Sequence, residues 1–403
     1  MTIERIAAGG DGVGRLPDGM TVFVPRTAPG DVAEIEVTER HRRYARGRVL
    51  ALETRSTLRV EPACQHYEAD ACGGCQLQHL SEEAQREWKA RIVGDALRRI
   101  AKRDVQDPAI VAAPSAWRYR TKITLHVSAD GSRIGFHPWD RPGHVFQLDD
   151  CRIAREALMR LWRVVRGAAL HLPRGVESVV LREDRTGALH VVLLGGTPPW
   201  DPAALMRAIA MDGVSCWWQP RGGAARVVAG PSTGFPALAF AQIFPDLADR
   251  IRQDAMAGLG PVEAKVVWDL YGGVGDAARA LADAGAKVWS VDADRTAIAW
   301  AERQGGTGRR ITYVAGRVEE VLHRLPEPDL VILNPPRAGC HPRVTEALTR
   351  LASRVSRVAY VSCDPATLAR DLGRMPGFGI VQVTACDLFP QTSHVETVAI
   401  LEA

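Results

Sequence analysis

The sequence predicts a multidomain α/β protein: an OB-like β-barrel at the N-terminus, an α+β central domain with a cysteine-based metal site, and a C-terminal Rossmann-like domain. Three observations carry that expectation. Up to residue 58, short alternating segments are punctuated by the turns Gly9-Gly10-Asp11-Gly12 and Pro17-Asp18-Gly19, the pattern of a small barrel. Cys64, Cys72 and Cys75 then cluster, with Cys151 further on. From about residue 238, strand-like and helix-like segments alternate, the mark of a parallel sheet. The domains are accordingly placed at 1–58, 59–237 and 238–403.

The bulk properties bound the function without naming it. A chain of 403 residues with 46% hydrophobic and 24% charged residues is an ordinary soluble protein with material for two or three domains. Its net charge of +4 permits a polyanionic partner but does not demand one. No apolar run approaches the length of a membrane span, and Met1-Thr2-Ile3-Glu4-Arg5 lacks the apolar core of a signal peptide. A cytoplasmic protein, acting as a monomer and without a membrane partner, is expected. In a reducing compartment eight cysteines do not form a disulfide framework, so their uneven placement suggests one metal site plus separate thiols.

Within the barrel, Thr21-Val22-Phe23-Val24 and Val32-Ala33-Glu34-Ile35-Glu36-Val37 read as strands. The segment Arg40-His41-Arg42-Arg43-Tyr44-Ala45-Arg46-Gly47-Arg48 follows, with five arginines and a tyrosine in nine residues. Guanidinium groups bind phosphates while a tyrosine offers a base a stacking face, so RNA contact is favoured over a merely solvated basic edge. The stretches Gly10-Asp11-Gly12-Val13-Gly14, Val22-Phe23-Val24-Pro25 and Ala28-Pro29-Gly30-Asp31 resemble the TRAM domain, an RNA-binding barrel attached to RNA-modifying enzymes. Cys64, Cys72, Gly73-Gly74-Cys75 and Cys151 suit either a four-thiolate zinc site or an iron–sulfur cluster. A zinc ribbon more often pairs two CxxC knuckles, and only one occurs here, which leans toward a cluster. Residues 81–102 begin with the capping-box-like Ser81-Glu82-Glu83 and continue with helical apolar spacing, so this helix is expected to pack on the C-terminal domain. A Pro-containing linker near 108–114 leads to Trp117-Arg118-Tyr119-Arg120 and to alternating strands such as Ile123–Val127 and Ser178–Arg182, read as an antiparallel α+β unit.

In the C-terminal domain, Val266–Tyr271 is a strand followed by Gly272-Gly273-Val274-Gly275-Asp276 and an alanine-rich helix, and the next strand, Lys287–Val291, ends in Asp292. Glycines let a ligand approach the helix N-terminus, and the acid is spaced to bind ribose hydroxyls. The dinucleotide fingerprint GxGxxG does not fit; the turn resembles motif I of class I S-adenosylmethionine-dependent methyltransferases. A further strand, Leu330–Leu333, delivers Asn334-Pro335-Pro336-Arg337 to the same sheet edge. Cys363 follows the apolar Ala359-Tyr360-Val361-Ser362 and precedes a helix starting near Asp364-Pro365. At such a junction a thiol is either a small buried hydrophobe or a nucleophile whose pKa is lowered by helix amides. Beside a methyl donor it acquires a job: thiolate addition to carbon 6 of a pyrimidine makes carbon 5 nucleophilic, and a base must later remove the carbon 5 proton. Glu396, directly before the last strand, is placed to be that base, with His394 a weaker candidate.

These residues together resemble the RNA uracil-5-methyltransferase family, in its TRAM-containing, iron–sulfur 23S rRNA branch. The resemblance runs through Tyr119-Arg120, Phe240-Ala241-Gln242, motif I, Asn334-Pro335-Pro336-Arg337, the stretch from Ser362 to Asp371, and His394-Val395-Glu396-Thr397-Val398. It implies Cys363 as nucleophile and Glu396 as proton acceptor. It also implies that Gln242, Tyr271, Gly273, Asp276, Asp292 and Asn334 line the donor and base pocket, and that Cys64, Cys72, Cys75 and Cys151 hold a 4Fe-4S cluster. The chain departs from the family at a longer first cysteine gap, at Phe244 in place of an asparagine, at Gly272 and Asp276 in motif I, and at Asn334 where the family has aspartate. A carboxylate only accepts a hydrogen bond whereas an amide does either, so Asn334 bears on the choice between uracil and cytosine. The alternatives are an RNA cytosine-5-methyltransferase, a tRNA uridine-5-methyltransferase, and a non-catalytic RNA-binding or chaperone protein. Against the first, Pro336-Arg337 stands where cytosine enzymes usually carry a second cysteine; against the last, Cys363 and Glu396 are both present.

Overall fold

The computed structural model describes residues 1–232, 234–305 and 310–403. The N-terminal strands Ile3–Ile6, Gly12–Arg15, Thr21–Val24, Val32–Arg40 and Tyr44–Thr54 form one sheet in which Tyr44–Thr54 lies between Thr21–Val24 and Val32–Arg40. A bridge between Thr2 and Val32 brings the outer edges of this sheet together around Ile3, Val22, Val24 and Ala45. The basic segment straddles the hairpin of the two long strands. Arg40, Arg46 and Arg48 pair with Asp18, Asp11 and Glu36, while Arg42 and Arg43 at the tip are exposed and have no ion pair among the described residues. Tyr44 stacks on His41 with ring centroids 4.5 Å apart.

The central sheet runs in the order Arg226–Ala229, Val214–Gln219, Leu189–Gly195, Val176–Glu183, Lys122–Val127, Ile134–Phe136 and Phe146–Gln147. It is antiparallel except for the pair Leu189–Gly195 and Val214–Gln219, which run parallel because the helix Pro202–Ile209 crosses between them. That helix and Glu156–Gly167 share a core with the sheet, centred on the fully buried Trp162.

The C-terminal sheet has the order Ile311–Ala315, Lys287–Asp292, Val266–Leu270, Leu330–Leu333, Arg357–Ser362, Glu396–Glu402, Gly379–Cys386 and Ala109–Val111. The first five strands are mutually parallel, and Glu396–Glu402 is antiparallel to both its neighbours. Successive residues face opposite sides: Val267 and Ala359 belong to one core, Trp268 and Tyr360 to the other. Burial on both sides is why these strands read as unbroken apolar runs.

Two segments far off in sequence complete this domain. The stretch read as a linker contributes Ala109–Val111, which pairs in parallel with Gly379–Cys386; three residues are too few for alternation to reveal a strand. The helix Glu82–Arg99 starts at Ser81, whose Oγ accepts the Ala84 N–H at 3.2 Å, and its Val93 and Leu97 enter the same core as Leu368, Leu372 and Phe378. Among the described residues no helix is long and apolar enough to cross a membrane.

Candidate active site

The C-terminal ends of the parallel strands open into a cavity of about 1140 Å3. Cys363 follows the strand Arg357–Ser362 and is half-buried at the cavity wall. Its register neighbour is Glu396: Ser362 pairs with Thr397 in the antiparallel ladder, so the next residue of each strand lies at the same level. The expected lowering of the thiol pKa is not met. Burial, and then the Glu396 carboxyl, push the Cys363 thiol up, while Arg337 opposes them. The helix Pro365–Gly373 contributes little, because the Asp364 carboxylate caps it by accepting the Thr367 N–H at 2.8 Å and Pro365 has no N–H to offer.

Glu396 is 1% exposed. Gln242 Nε2 donates to its Oε1 at a long 3.5 Å, and Oε2 has no partner among the described residues. Burial pushes the carboxyl up to about 8, against the opposing effects of Gln242 and Arg337. A carboxyl in that range exchanges its proton near neutrality, as a general base must. His394 stands beside Arg337. Burial, Arg337 and Lys89 hold its ring down to about 4, and the neutral imidazole accepts from Arg337 Nη2 at 3.1 Å.

The glycine-rich turn lies two strands from Cys363, beyond the strand that carries Asn334. Tyr271, Gly273 and Gly275 have φ of 63°, 55° and 76°, so the chain turns in the left-handed region before the helix Asp276–Asp283. At Gly272 an added Cβ would stand 2.3 Å from Ser290 Oγ and 2.4 Å from Asp269 Oδ2, which leaves room for no side chain there. Asp292 ends its strand and accepts the Gly273 N–H at 2.8 Å, joining the turn to the acidic residue. The Tyr271 hydroxyl is buried against Cys340 and the His341 backbone, without a well-aligned hydrogen bond among the described residues. Asn334 lies between turn and thiol; its backbone N–H donates to Leu270 O at 3.2 Å, and its side-chain amide has no hydrogen bond to a described residue.

Gln242, Tyr271, Gly273, Asp292, Asn334, Cys363 and Glu396 therefore line one cavity. Asp276 does not: it borders a neighbouring cavity of about 90 Å3 and its carboxylate is engaged by Arg185, Arg252 and Arg279. Two buried residues that sequence reasoning missed hold the wall in place. Asp371 accepts from the Cys340 N–H and the Tyr360 hydroxyl, both at 2.8 Å, and so fixes the loop after Asn334 against the helix after Cys363. Arg182 donates to Ala237 O at 2.7 Å and Ala239 O at 2.6 Å, and Thr121 N–H to Ile243 O at 2.9 Å, which together deliver Gln242. The Arg370-Asp371 pair was visible at the end of its motif, but nothing local in the sequence marks Arg182.

Cys64, Cys72, Cys75 and Cys151 also line this cavity, and all four are free thiols. Burial, and the neighbouring thiols after it, raise Cys72 to about 12; burial raises Cys75 and Cys151 as well. Among the described residues no group of three or more His, Cys, Asp or Glu is gathered for a single metal ion. A tetrahedral zinc with bonds of about 2.3 Å needs its thiolates roughly 3.8 Å apart. Arg26 lies over the Tyr67 ring at 3.9 Å and donates to Tyr67 O and, at 3.0 Å, to Cys72 O, tying the cysteine loop to the barrel.

Comparison with known proteins places this geometry among relatives. Residues 1–50 match the TRAM domain, and residues 317–403 match the family described as tRNA (Uracil-5-)-methyltransferase. A Chromohalobacter salexigens protein named 23S rRNA (uracil(1939)-C(5))-methyltransferase RlmD is 32% identical, over 100% of this chain and 88% of that one. A Halomonas elongata protein of the same name is 31% identical, over 100% and 89%. Among solved structures, the Pyrococcus abyssi tRNA (uracil-54, C5)-methyltransferase in complex with S-adenosyl-L-homocysteine superposes with a TM-score of 0.73 at 25% identity, covering 100% of this chain and 99% of that one.

Proposed function

The chain belongs to the RNA uracil-5-methyltransferase family, and from that premise we propose that it methylates carbon 5 of a uridine in structured RNA, with 23S rRNA as the substrate class. The observation that carries the mechanism is the pairing of Cys363 with the buried Glu396 at the mouth of adjacent antiparallel strands, in the cavity that the glycine-rich turn also lines. S-adenosylmethionine, when bound, supplies the electrophilic methyl group; the left-handed Gly273 turn, Asp292, Tyr271 and Gln242 are the residues that would hold it. The open side of Gly273, where an added Cβ would have only Phe240 O at 4.0 Å, suits such an occupant. Asp276 would serve that site indirectly, by anchoring the helix after the turn.

Cys363 adds to carbon 6 of the base, so its raised thiol must first lose a proton. Carbon 5 would then take the methyl group as the methyl–sulfonium bond breaks and its electrons stay on the donor sulfur. Glu396 accepts the carbon 5 proton; the C–H electrons re-form the C5–C6 double bond, and the C6–Sγ bond breaks to return the thiolate. The barrel, with Arg42, Arg43 and Tyr44 at its hairpin, would bind flanking RNA, residues 59–237 would carry the cysteines, and residues 238–403 the chemistry. The protein would work in the cytoplasm as a monomer. The direct test is mapping of 5-methyluridine in ribosomal and transfer RNA from a strain lacking the gene. Loss of one ribosomal 5-methyluridine is expected; loss of one from transfer RNA only would reassign the substrate, and an unchanged map would remove the activity.

The four thiols would hold a 4Fe-4S cluster. They line one cavity, and the single CxxC among them, where a zinc ribbon more often has two, is what leans toward a cluster. Purified protein is expected to be brown, and elemental analysis to find iron near four per chain. Stoichiometric zinc without iron would overturn this.

The unpaired amide of Asn334 favours a second reading of base choice. Uracil presents N3–H and O4, a donor beside an acceptor; cytosine presents N3 and N4–H2 in the opposite order. Turning an amide over matches either, whereas a carboxylate only accepts. With transcripts carrying U or C at the target, the wild type is expected to methylate both. Asn334→Asp is expected to shift the ratio of 5-methyluridine to 5-methylcytidine toward 5-methyluridine by roughly tenfold, the net size of one hydrogen bond. An unchanged ratio by nucleoside mass spectrometry would take Asn334 out of base recognition.

A further inference from the structure

Glu396 has weak support of its own: one long contact from Gln242 and an Oε2 unpartnered among the described residues. Its position is therefore set by its backbone, which arrives from the strand pairing on one side and from the loop 387–395 on the other. That loop is buried at Asp387, Leu388, Val395 and from Pro390 to Ser393. Its pivot is Gln391, whose φ of 68° is uncommon outside glycine and persists only where the surroundings enforce it.

The enforcing groups all come from the first third of the chain. Gln76 N–H and Leu77 N–H both donate to Gln391 O, at 3.2 and 3.0 Å. Gln85 Oε1 accepts the Gln391 N–H at 2.9 Å, and Gln85 Nε2 donates to Gln391 Oε1 at 3.0 Å. Gln76 Oε1 accepts the Ser393 N–H at 3.2 Å. On the approach side Lys89 Nζ donates to Asp387 Oδ1 at 2.6 Å and Phe389 O at 3.0 Å, and the Tyr119 hydroxyl donates to Pro390 O at 3.0 Å. Gln76 directly follows Cys75, so the cysteine loop and the long helix Glu82–Arg99 meet on the residue that aims the last strand.

We propose that Gln76 and Gln85 are positioning residues for Glu396: acting through Ser393 and Gln391, the cysteine loop and the long helix set the carboxylate that removes the carbon 5 proton. The inference rests on Glu396 being that proton acceptor. Cys363 stands on the strand Arg357–Ser362 and the helix Pro365–Gly373, to which neither Gln76 nor Gln85 is hydrogen-bonded among the described residues, so loosening the loop at Gln391 and Ser393 leaves thiol addition and methyl transfer in place. It slows only the breaking of the C5–H bond, with its coupled release of the C6–Sγ bond. The signature is a methylated covalent adduct that accumulates.

The test uses the whole protein as purified, carrying Gln85→Ala or Gln76→Ala, with substrate RNA tritiated at carbon 5 of uridine. Gln76→Ala keeps the backbone donors to Gln391 and frees Ser393, on the Glu396 side of the pivot, so it remains informative if Gln85→Ala does not fold. Release of tritium is expected to slow by roughly tenfold or more, the usual result of misplacing a catalytic group by a fraction of an ångström. The fraction of enzyme in denaturation-resistant adduct should rise several-fold, with the KM for RNA within about twofold of wild type. Slower turnover without extra adduct, or a higher KM alone, would overturn the inference in favour of a structural or RNA-binding role. Glu396→Gln in the same assay separates the two levels. If that variant traps adduct and neither glutamine variant does, the positioning role alone fails; if it turns over freely, Glu396 is not the base.

Discussion

Cys363→Ala is expected to lose methyl transfer by about a thousandfold or more while binding substrate RNA as the wild type does. Without the thiol no covalent activation of carbon 5 is possible, and no other cysteine stands in: Cys340 and Cys386 are buried, and burial raises both thiols to about 12. Cys363 is half-buried at a cavity wall, so removing its sulfur leaves a site open to water and not a sealed void, and the fold should tolerate it. RNA affinity should persist because the basic hairpin at Arg42 and Arg43 belongs to a different domain. Single-turnover transfer of labelled methyl, beside a filter-binding isotherm, separates the two. Residual transfer within about tenfold of wild type would return Cys363 to being a wall residue.

The second large effect is expected at Glu396. Glu396→Gln keeps the size of the side chain and its contact with Gln242 but cannot accept a proton, so the reaction should stop after methyl transfer with RNA covalently attached, visible as a shifted band on a denaturing gel. The wild type's single-turnover rate should rise with pH toward about 8, because both the carboxylate and the Cys363 thiolate are the less favoured forms in the fold. The same burial has a consequence for stability. A carboxyl raised to about 8 in the folded state, from 4.5, binds its proton more tightly there than in the unfolded chain. Its contribution is fully present below pH 4.5, falls as the pH rises through that window, and is lost above 8. The glutamine variant has no charge to bury, so it should match wild type below pH 4.5 and exceed it by a few kcal/mol at about pH 9. Thermal melts of both proteins across that range check the sign. Parallel curves would mean that Glu396 is not desolvated.

The site's elements were legible where the information is local. The turn at Tyr271–Gly275, the strand before Asn334 and the junction at Cys363 each combine an apolar run with glycine, proline or a capping residue, and these cues act within a few residues. What each residue does there was less legible. Asp276 has the right place in the motif for ligand binding, yet three arginines, of which Arg185 comes from the central domain, occupy its carboxylate. Cys363 sits at a helix start, yet Asp364 caps the helix, and burial together with Glu396 raises the thiol instead of lowering it.

By itself the sequence determined the order of the three units, the alternation of strands and helices, and which side chains were candidates for nucleophile, base and cluster ligands, because backbone preference and hydrophobic period are properties of neighbouring residues. Only the tertiary structure decided that Ala109–Val111 is the eighth strand, that Lys89 and Gln85 grip a loop some 300 residues away, and that Glu396 is dry enough to hold its proton near neutral pH. Hydrogen-bond partners across such separations, and the water removed when segments meet, depend on the assembled fold and leave no local pattern to read.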